Sequence, residues 1–374
     1  MNNVEKKIKQ GKRDSGLLIR SFIVDNFKPG EMIPGEAELI NSLNVSRYSV
    51  LKELTSLVAE GVVERRQGCG TFMSKRGSSI NSHNIAFIAN EFEAHMNIEI
   101  MRGVDDYLRD TDFNLVLLNS NFNKECEVLN LGKVRGGRFG GVLAILDPDA
   151  ESLKEASSII DDGIPFVQID RSYNEINAPI IESSHQAGAY KAVAHLIAMG
   201  HTNIAHITFV DPEYSSLSSV KQRYLGYKQA LEDHGIEFKE DYVKQINILG
   251  PGRKLPDCMK DLLGYESMHK LLSMKETPTA VFLLNDSIAK GVYKAINNHG
   301  LEVGKDVSVI GFDNDISAQY LNPPLTTVEQ AFRKIGNQAM QLLEEIMEGK
   351  SQSKKHIEIH GELIIRDSVR RLTR

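Results

Sequence analysis

The 374-residue chain has no tryptophan and only three cysteines, Cys69, Cys126 and Cys258. Scattered as they are, they form neither a disulfide framework nor a metal-ligand spacing, and they read as free thiols in a reducing compartment. No run approaches about 18 apolar residues, so no membrane partner is expected. The opening MNNVEKKIKQGKRD is basic but lacks the apolar stretch of a secretory leader, which makes the cytoplasm the expected location. No nucleophile–base signature is present, so the chain reads as a non-enzyme with no cofactor. What is present is ordinary in bulk, with 41% hydrophobic and 25% charged residues, as in globular proteins. The length predicts two or three structural units. Charge is uneven. Residues 1–80 hold 13 Lys+Arg against 9 Asp+Glu, or +4, which leaves −10 for the rest of a chain at −6. A basic head on an acidic body suits a nucleic-acid module joined to a body that does not hold DNA.

The stretch 30–73 carries the most information. Residues 15–27 predict a first helix with Leu18 and Phe22, joined by Ile19 and Val24, on its inner side. Residues 36–43 predict a second, with Ala37, Leu39, Ile40 and Leu43 apolar. Asn44-Val45 turns the chain, and Ser46 is placed to cap a third helix. There Val50, Leu54, Leu57 and Val58 recur at helical spacing, with Tyr48, Lys52 and Ser56 opposite. Gly61 ends it. Val62–Arg66, a turn at Gln67–Gly70 and Thr71–Met73 read as a hairpin with a basic first strand. This is the order of a winged helix-turn-helix, whose recognition helix enters the major groove.

At these residues the chain resembles the GntR family of bacterial regulators. It keeps Pro29-Gly30, Ile33-Pro34, Glu36, Leu39, Val45-Ser46-Arg47, Glu60 through Gly68 (EGVVERRQG) and Gly70-Thr71-Phe72. It departs at Ala37 and Leu51, where relatives carry arginine, and Lys52 restores part of the lost charge. The resemblance implies contacts to double-stranded operator DNA from Glu36, Ser46, Arg47, Tyr48, Ser49 and Lys52, and from Gln67 and Gly68 in the wing.

Residues 74–83 read as a polar linker. From Asn84 the chain alternates strands (Ile85–Ala89, Asn114–Leu118, Gly141–Ile145, Phe166–Ile169, Ile204–Phe209, Ala280–Leu284, Val307–Phe312) with helices (97–110, 124–134, 150–162, 185–199, 219–234, 264–273, 286–299, 329–348). Such alternation means parallel sheets covered by helices, and the number of units implies two lobes. The body resembles the effector domain of LacI/GalR-type repressors, related to periplasmic sugar-binding proteins. The resemblance rests on MRGVDDYLRDTDFNLVLLNS (101–120), GIPFVQIDR (163–171), GAYKAVAHLIAMGHTNIAHI (188–207), QRYLGYKQALEDHGI (222–236), the stretch 279–314 and PPLTTVEQ (323–330). A GntR-type head on such a body is similar to the arabinose repressor group. The minor-groove hinge helix of LacI-type proteins has no counterpart between residues 74 and 84.

The expected architecture is therefore a small α+β winged helix-turn-helix domain (1–73), a linker (74–83) and a two-lobed α/β periplasmic-binding-protein-like domain (84–374). Ligands of open α/β sheets sit beyond the carboxyl ends of strands. Asp170-Arg171, Asn285-Asp286 and Asp313-Asn314 lie there, and Arg223 follows the loop 211–220. Asp170, Arg171, Arg223, Asn285 and Asp313 are the effector-binding candidates, since such side chains supply planar, bidentate hydrogen bonding to a sugar. Four of them, all but Arg171, match ligand positions of the family; Asp286 reads as a helix cap. Gly136–Gly141 reads as a helix-to-strand turn, not a phosphate loop. His195, His201 and His206 do not share a helical face, and Asp105-Asp106 and Glu344-Glu345 read as solvated faces. The expected function is a homodimeric transcriptional regulator, read as a repressor, controlled by a small effector such as a pentose. A cytoplasmic sugar-binding protein or a sugar-modifying enzyme on the same scaffold is the alternative.

Overall fold

A computed structural model of the chain describes residues 15–16, 18–24, 26–28, 30–59, 62–66, 68–74, 83–135, 139–147, 149–173, 175–209, 218–246, 257–350 and 355–372. Gly61, Gln67, Gly136–Arg138, the arm 1–13, residues 75–82 of the linker and most of the loop 211–220 lie outside the described residues.

The head begins with helical residues 18–24 (α1), followed by α2 (Glu36–Leu43), α3 (Arg47–Ala59) and an antiparallel hairpin of β1 (Val63–Arg66) and β2 (Gly70–Met73). Ile19, Ile23, Leu39, Val50, Leu54, Leu57 and Val63 form its core, with Phe22 packed against it. The expected inner face of α1 needs correction. Leu18 is 49% and Val24 37% exposed, whereas Ile19 and Ile23 are fully buried. The reason is that Arg20 on the same helix turns inward to an ion pair with Glu53 of α3 at 2.6 Å, which fixes the helix's rotation. Ile33 donates its N–H to Thr71 at 2.9 Å, tying the segment before α2 to the wing.

The body contains two six-stranded sheets. The first has the order β13-β7-β6-β5-β3-β4 and the second β14-β12-β11-β10-β8-β9. Lobe 1 is built from β3 (Asn84–Ala89), α4 (His95–Leu108), β4 (Asn114–Asn119), α5 (Lys124–Arg135), β5 (Gly141–Ala144), α6 (Ala150–Asp161), β6 (Phe166–Ile169) and β7 (Ile180–Ser183). The chain then crosses to lobe 2, which comprises α7 (His185–Ala198), β8 (Ile204–Phe209), α8 (Ser218–Asp233), β9 (Val243–Ile246), α9 (Asp257–Leu272), β10 (Ala280–Leu283), α10 (Ala289–Asn298), β11 (Ser308–Asp313) and β12 (Thr326–Glu329). It returns to lobe 1 for α11 (Phe332–Met347) and β13 (His356–Ile359), and crosses once more to β14 (Glu362–Ile364). All pairings in the two sheets are parallel except β12 with β14. The central strands β3, β5, β6, β8, β10 and β11 are buried on both faces, as in a sheet covered by helices on both sides, and separate cores pack against the two faces of each sheet.

Three crossovers therefore join the lobes, and hydrogen bonds hold them together. Ser183 Oγ donates to the Gln330 carbonyl at 3.1 Å, and Ser184 Oγ lies 2.8 Å from His360 Nδ1. Gly361 occupies a position where a Cβ would stand 2.0 Å from the Glu329 carbonyl oxygen, so two of the crossovers touch backbone to backbone.

Two further expectations change. Asp106 and Glu344 are not merely solvated: Asp106 accepts from Arg333 (2.9 Å to Nη2) and Glu344 accepts from the Tyr107 hydroxyl, so both tie α4 to α11. Asp286 caps no helix. Its carboxylate accepts from Thr327 Oγ1 at 2.8 Å and from the Asp315 N–H at 2.9 Å, and burial raises its pKa. It ties the end of β10 to β12 and to the loop after β11. His206, in β8, is fully buried between Phe282 (centroids 4.8 Å apart) and Tyr227 (5.1 Å). Burial lowers its pKa to about 4, which makes it a neutral aromatic of the core.

Candidate DNA and effector sites

The recognition helix is set by its cap. Asn44 takes a left-handed backbone (φ 51°) and ends α2, and Ser46 Oγ accepts the Ser49 N–H at 3.1 Å. That fixes which face of α3 is outward. Arg47, Tyr48 (66% exposed) and Lys52 face solvent, while Val50, Leu54 and Leu57 face the core. Ser49 is buried, with its hydroxyl 2.9 Å from Ser46 Oγ, so it completes the cap and is not on the outward face. Glu36, at the start of α2, lies 3.6 Å from Arg65 of the wing. Arg66 pairs with Glu64 and lies over the Phe72 ring at 4.5 Å, and Gly68 forms the exposed turn with φ 74°. The outward charge of this surface is basic and suits the phosphate backbone.

The effector candidates converge differently. Asp170 at the end of β6 and Asp313 at the end of β11 both have positive φ, 66° and 108°. A non-glycine residue held there costs of the order of 1–3 kcal/mol and is found where the surroundings over-determine the site. Asp170 Oδ1 lies 3.6 Å from His185 Nε2, His185 Nδ1 lies 3.5 Å from Arg223 Nη2, and Arg223 Nη2 lies 3.3 Å from Asp313 Oδ1. Gln330, in the second crossover, donates to Asp313. One polar chain thus runs from lobe 1 through the first residue of α7 to lobe 2 and back into a crossover. Arg223 also donates to the Leu284 carbonyl at 2.6 Å and lies 4.0 Å above the Phe312 ring, and its Nε has no partner among the described residues. Burial and the neighbouring Arg223 hold the His185 pKa well below normal, so the imidazole is neutral. Burial pushes Asp313 up to about 6, against the pull of Arg223.

Arg171 turns to Asp147 (2.9 Å), with Asp170 at 3.7 Å. Beside Asp147, burial raises Glu127 to about 7. Asn285 stands apart from the chain of contacts: its Oδ1 accepts from Ser287 Oγ at 2.7 Å. A cleft of about 450 Å³ opens between the lobes. His95 and Glu99 of α4 and Phe332 of α11 line one side, with Asp313, Asn314 and Arg366 on the other. Of the five candidates only Asp313 lines it directly. His185, Gln330, His95 and Arg366 were not among the candidates; His185 and Gln330 were hidden because each lies in a crossover whose partners are remote in sequence.

A winged helix-turn-helix joined to two hinged α/β lobes with a polar cleft defines the class of transcriptional regulators controlled by a small ligand. The bacterial regulatory protein gntR family matches residues 17–73 and the periplasmic binding protein-like domain matches residues 193–369. The chain belongs to the family of the HTH-type transcriptional repressors PurR, being 30% identical to the Pasteurella multocida repressor over 88% of this chain and 93% of that one. It is a small-molecule-regulated, DNA-binding repressor. The arabinose metabolism transcriptional repressor of Geobacillus stearothermophilus is 27% identical over 95% of this chain and 96% of its own. In fold the body is similar to a LacI family transcriptional regulator from Enterococcus faecium with bound ribose (TM-score 0.63, 23% identity, 78% of this chain and 100% of that one). No helix among the described residues is long and apolar enough to cross a membrane.

Proposed function

We propose that this repressor acts in the cytoplasm as a homodimer without catalysing a reaction, and that its effector is a sugar, with a pentose the first candidate. The observation that carries this reading is the Asp170–His185–Arg223–Asp313 chain beside the interlobe cleft. It offers buried donors and acceptors of both signs, with an unpartnered Arg223 Nε, and so suits a neutral polyhydroxyl ligand. The relative named for arabinose metabolism and the ribose-bound structure of similar fold support the same class. Asp170, Arg171, Arg223 and Asp313 form or brace the site, while Asn285 stands apart from it. Arg47, Tyr48, Lys52 and Gly68 face operator DNA, with Glu36, Ser46 and Ser49 setting the frame; Gln67, which the family resemblance adds, lies outside the described residues. Units at 1–73, 74–83 and 84–374 then serve as head, linker and effector body. Because paired heads read two half-sites, a dimer on a pseudo-palindromic operator follows.

Closure of the lobes around the effector would rearrange the three crossovers, since Asp313 is bonded to Gln330 inside one of them. The test is a thermal-shift panel of mono- and disaccharides followed by gel shift on genomic fragments. A true effector at a hundredfold excess over Kd stabilises by about 2.7 kcal/mol and changes operator affinity. If pentoses and hexoses leave both readings unmoved, the sugar assignment is wrong.

A further inference from the structure

Glu182 is a buried polar residue that the effector site leaves unexplained. It lies in β7 after Ile180 and Ile181, is 0% exposed, and its Oε2 has no hydrogen-bond partner among the described residues. Its other oxygen, Oε1, lies 2.7 Å from His356 Nε2. The charged groups that act on it most are His356, Asp170 and Glu358. A buried carboxylate without a cation is costly, and such groups pair or coordinate a metal ion.

The register explains how the group is assembled. β13 is the edge strand of the first sheet and runs parallel to β7, with Glu358 opposite Glu182 and His356 opposite Ile180. Residues 356 and 358 are two apart, so both side chains share the face on which Glu182 stands. His356 Nε2 is 3.9 Å from Glu358 Oε1, and one ligand atom from each of the three residues falls within 4.8 Å of the others. Around a four-coordinate ion with ligands at about 2.05 Å the ligand atoms stand about 3.3 Å apart. Small side-chain movements, opening the 2.7 Å contact and closing the 3.9 Å one, reach that spacing. The edge position keeps His356 and Glu358 about half exposed, which provides the entry path.

We propose that Glu182, His356 and Glu358 bind one divalent transition-metal ion of the zinc type, with solvent completing the coordination. One imidazole and two carboxylates favour a borderline ion over calcium or magnesium, which prefer all-oxygen sites. The ion would neutralise the carboxylates and clamp β7 to β13, the two lobe 1 strands from which crossovers leave directly into lobe 2.

The test uses the untagged full-length protein, stripped with a chelator and titrated with Zn²⁺ by calorimetry, with the absorption of bound Co²⁺ as a second readout. The expected result is one ion per chain, a rise in Tm, and at least about a tenfold weaker Kd in Glu182→Gln and His356→Ala. His356→Ala alters a half-exposed side chain, so it keeps the test valid if Glu182→Gln fails to fold. The imidazole pair His269 and His299, 2.8 Å apart, is a competing site, and His269→Ala should retain full binding. No Zn²⁺ binding by the wild type, or undiminished binding by His356→Ala, overturns the proposal.

Discussion

Asp313 and Arg223 meet at 3.3 Å, yet burial still holds the Asp313 carboxyl near pH 6. The ionised form is the one that accepts from ligand hydroxyls and from Arg223, so effector affinity should fall as the pH drops through about 6. For folding the sign is opposite: a pKa raised from 3.8 to about 6 contributes stability below the lower value, and this is lost as the pH rises through the upper one. Asp313→Asn should weaken effector binding at pH 8 and remove this part of its pH dependence, measured as Kd between pH 5 and 8. An unchanged slope would place the titrating group elsewhere, with Glu127, raised to about 7, next in line. In the head, Arg47 stands on the outward side of α3 with no buried role. Arg47→Ala should cost about 1–3 kcal/mol of operator affinity and leave effector binding intact. Equal gel-shift affinity for mutant and wild type would remove Arg47 from the DNA surface.

Among the elements, the pairing of α4 with α11 is one that a single methyl group would disturb. A Cβ on Gly103 would lie 1.9 Å from the Arg333 carbonyl oxygen, and one on Gly336 would lie 1.9 Å from that of Ile100. The two glycines let the helices cross in backbone contact, and the Asp106–Arg333 and Tyr107–Glu344 bonds bracket the crossing. Gly336→Ala must push the helices apart, with an expected loss of about 3 kcal/mol measured by urea unfolding; a change below about 0.5 kcal/mol would mean that the crossing is not tight. Neither glycine announces itself in the sequence, because a close approach needs a partner some 230 residues away. The same limit governs what else could be read in advance. The long apolar strands and amphipathic helices were readable from periodicity, as was the capped α3 from Ser46. β7, β9, β12, β13 and β14 were not: each is three or four residues long and mixes polar or charged residues with apolar ones, as in IIES or TTVE, so no apolar run outweighs a loop, whereas the equally short β5 and β10 are apolar throughout. Those short strands include the ones that flank the crossovers, so the hinge stayed hidden although the lobes did not. Asp170, Arg223 and Asp313 could be named from strand ends and resemblance, whereas His185 and Gln330 become visible only once the crossovers are placed.

Over the whole molecule the crossovers and the effector site are one structure. Asp170 belongs to lobe 1, Arg223 and Asp313 to lobe 2, and His185 and Gln330 to the segments between, so a ligand gripping both sides acts on the hinge directly. A ligand shifts an equilibrium only through its differential affinity for the two states, and Arg223 reaches groups that must move relative to lobe 1. Arg223→Ala removes the partner of Asp313, the bond to the Leu284 carbonyl and the cover over Phe312. Losing one side of such a buried pair costs about 3–5 kcal/mol, enough to abolish effector binding at ordinary concentrations. The head's own core, Ile19 through Val63, shares no residue with that site. Operator affinity without effector should therefore be unchanged, and the mutant should be fixed in its effector-free behaviour. Gel shift with and without the identified sugar, beside a melting curve to establish that the variant folds, decides the matter. A folded Arg223→Ala protein that still answers the effector at wild-type concentrations would show that the ligand is gripped elsewhere in the cleft, with His95, Glu99 and Arg366 the residues to alter next.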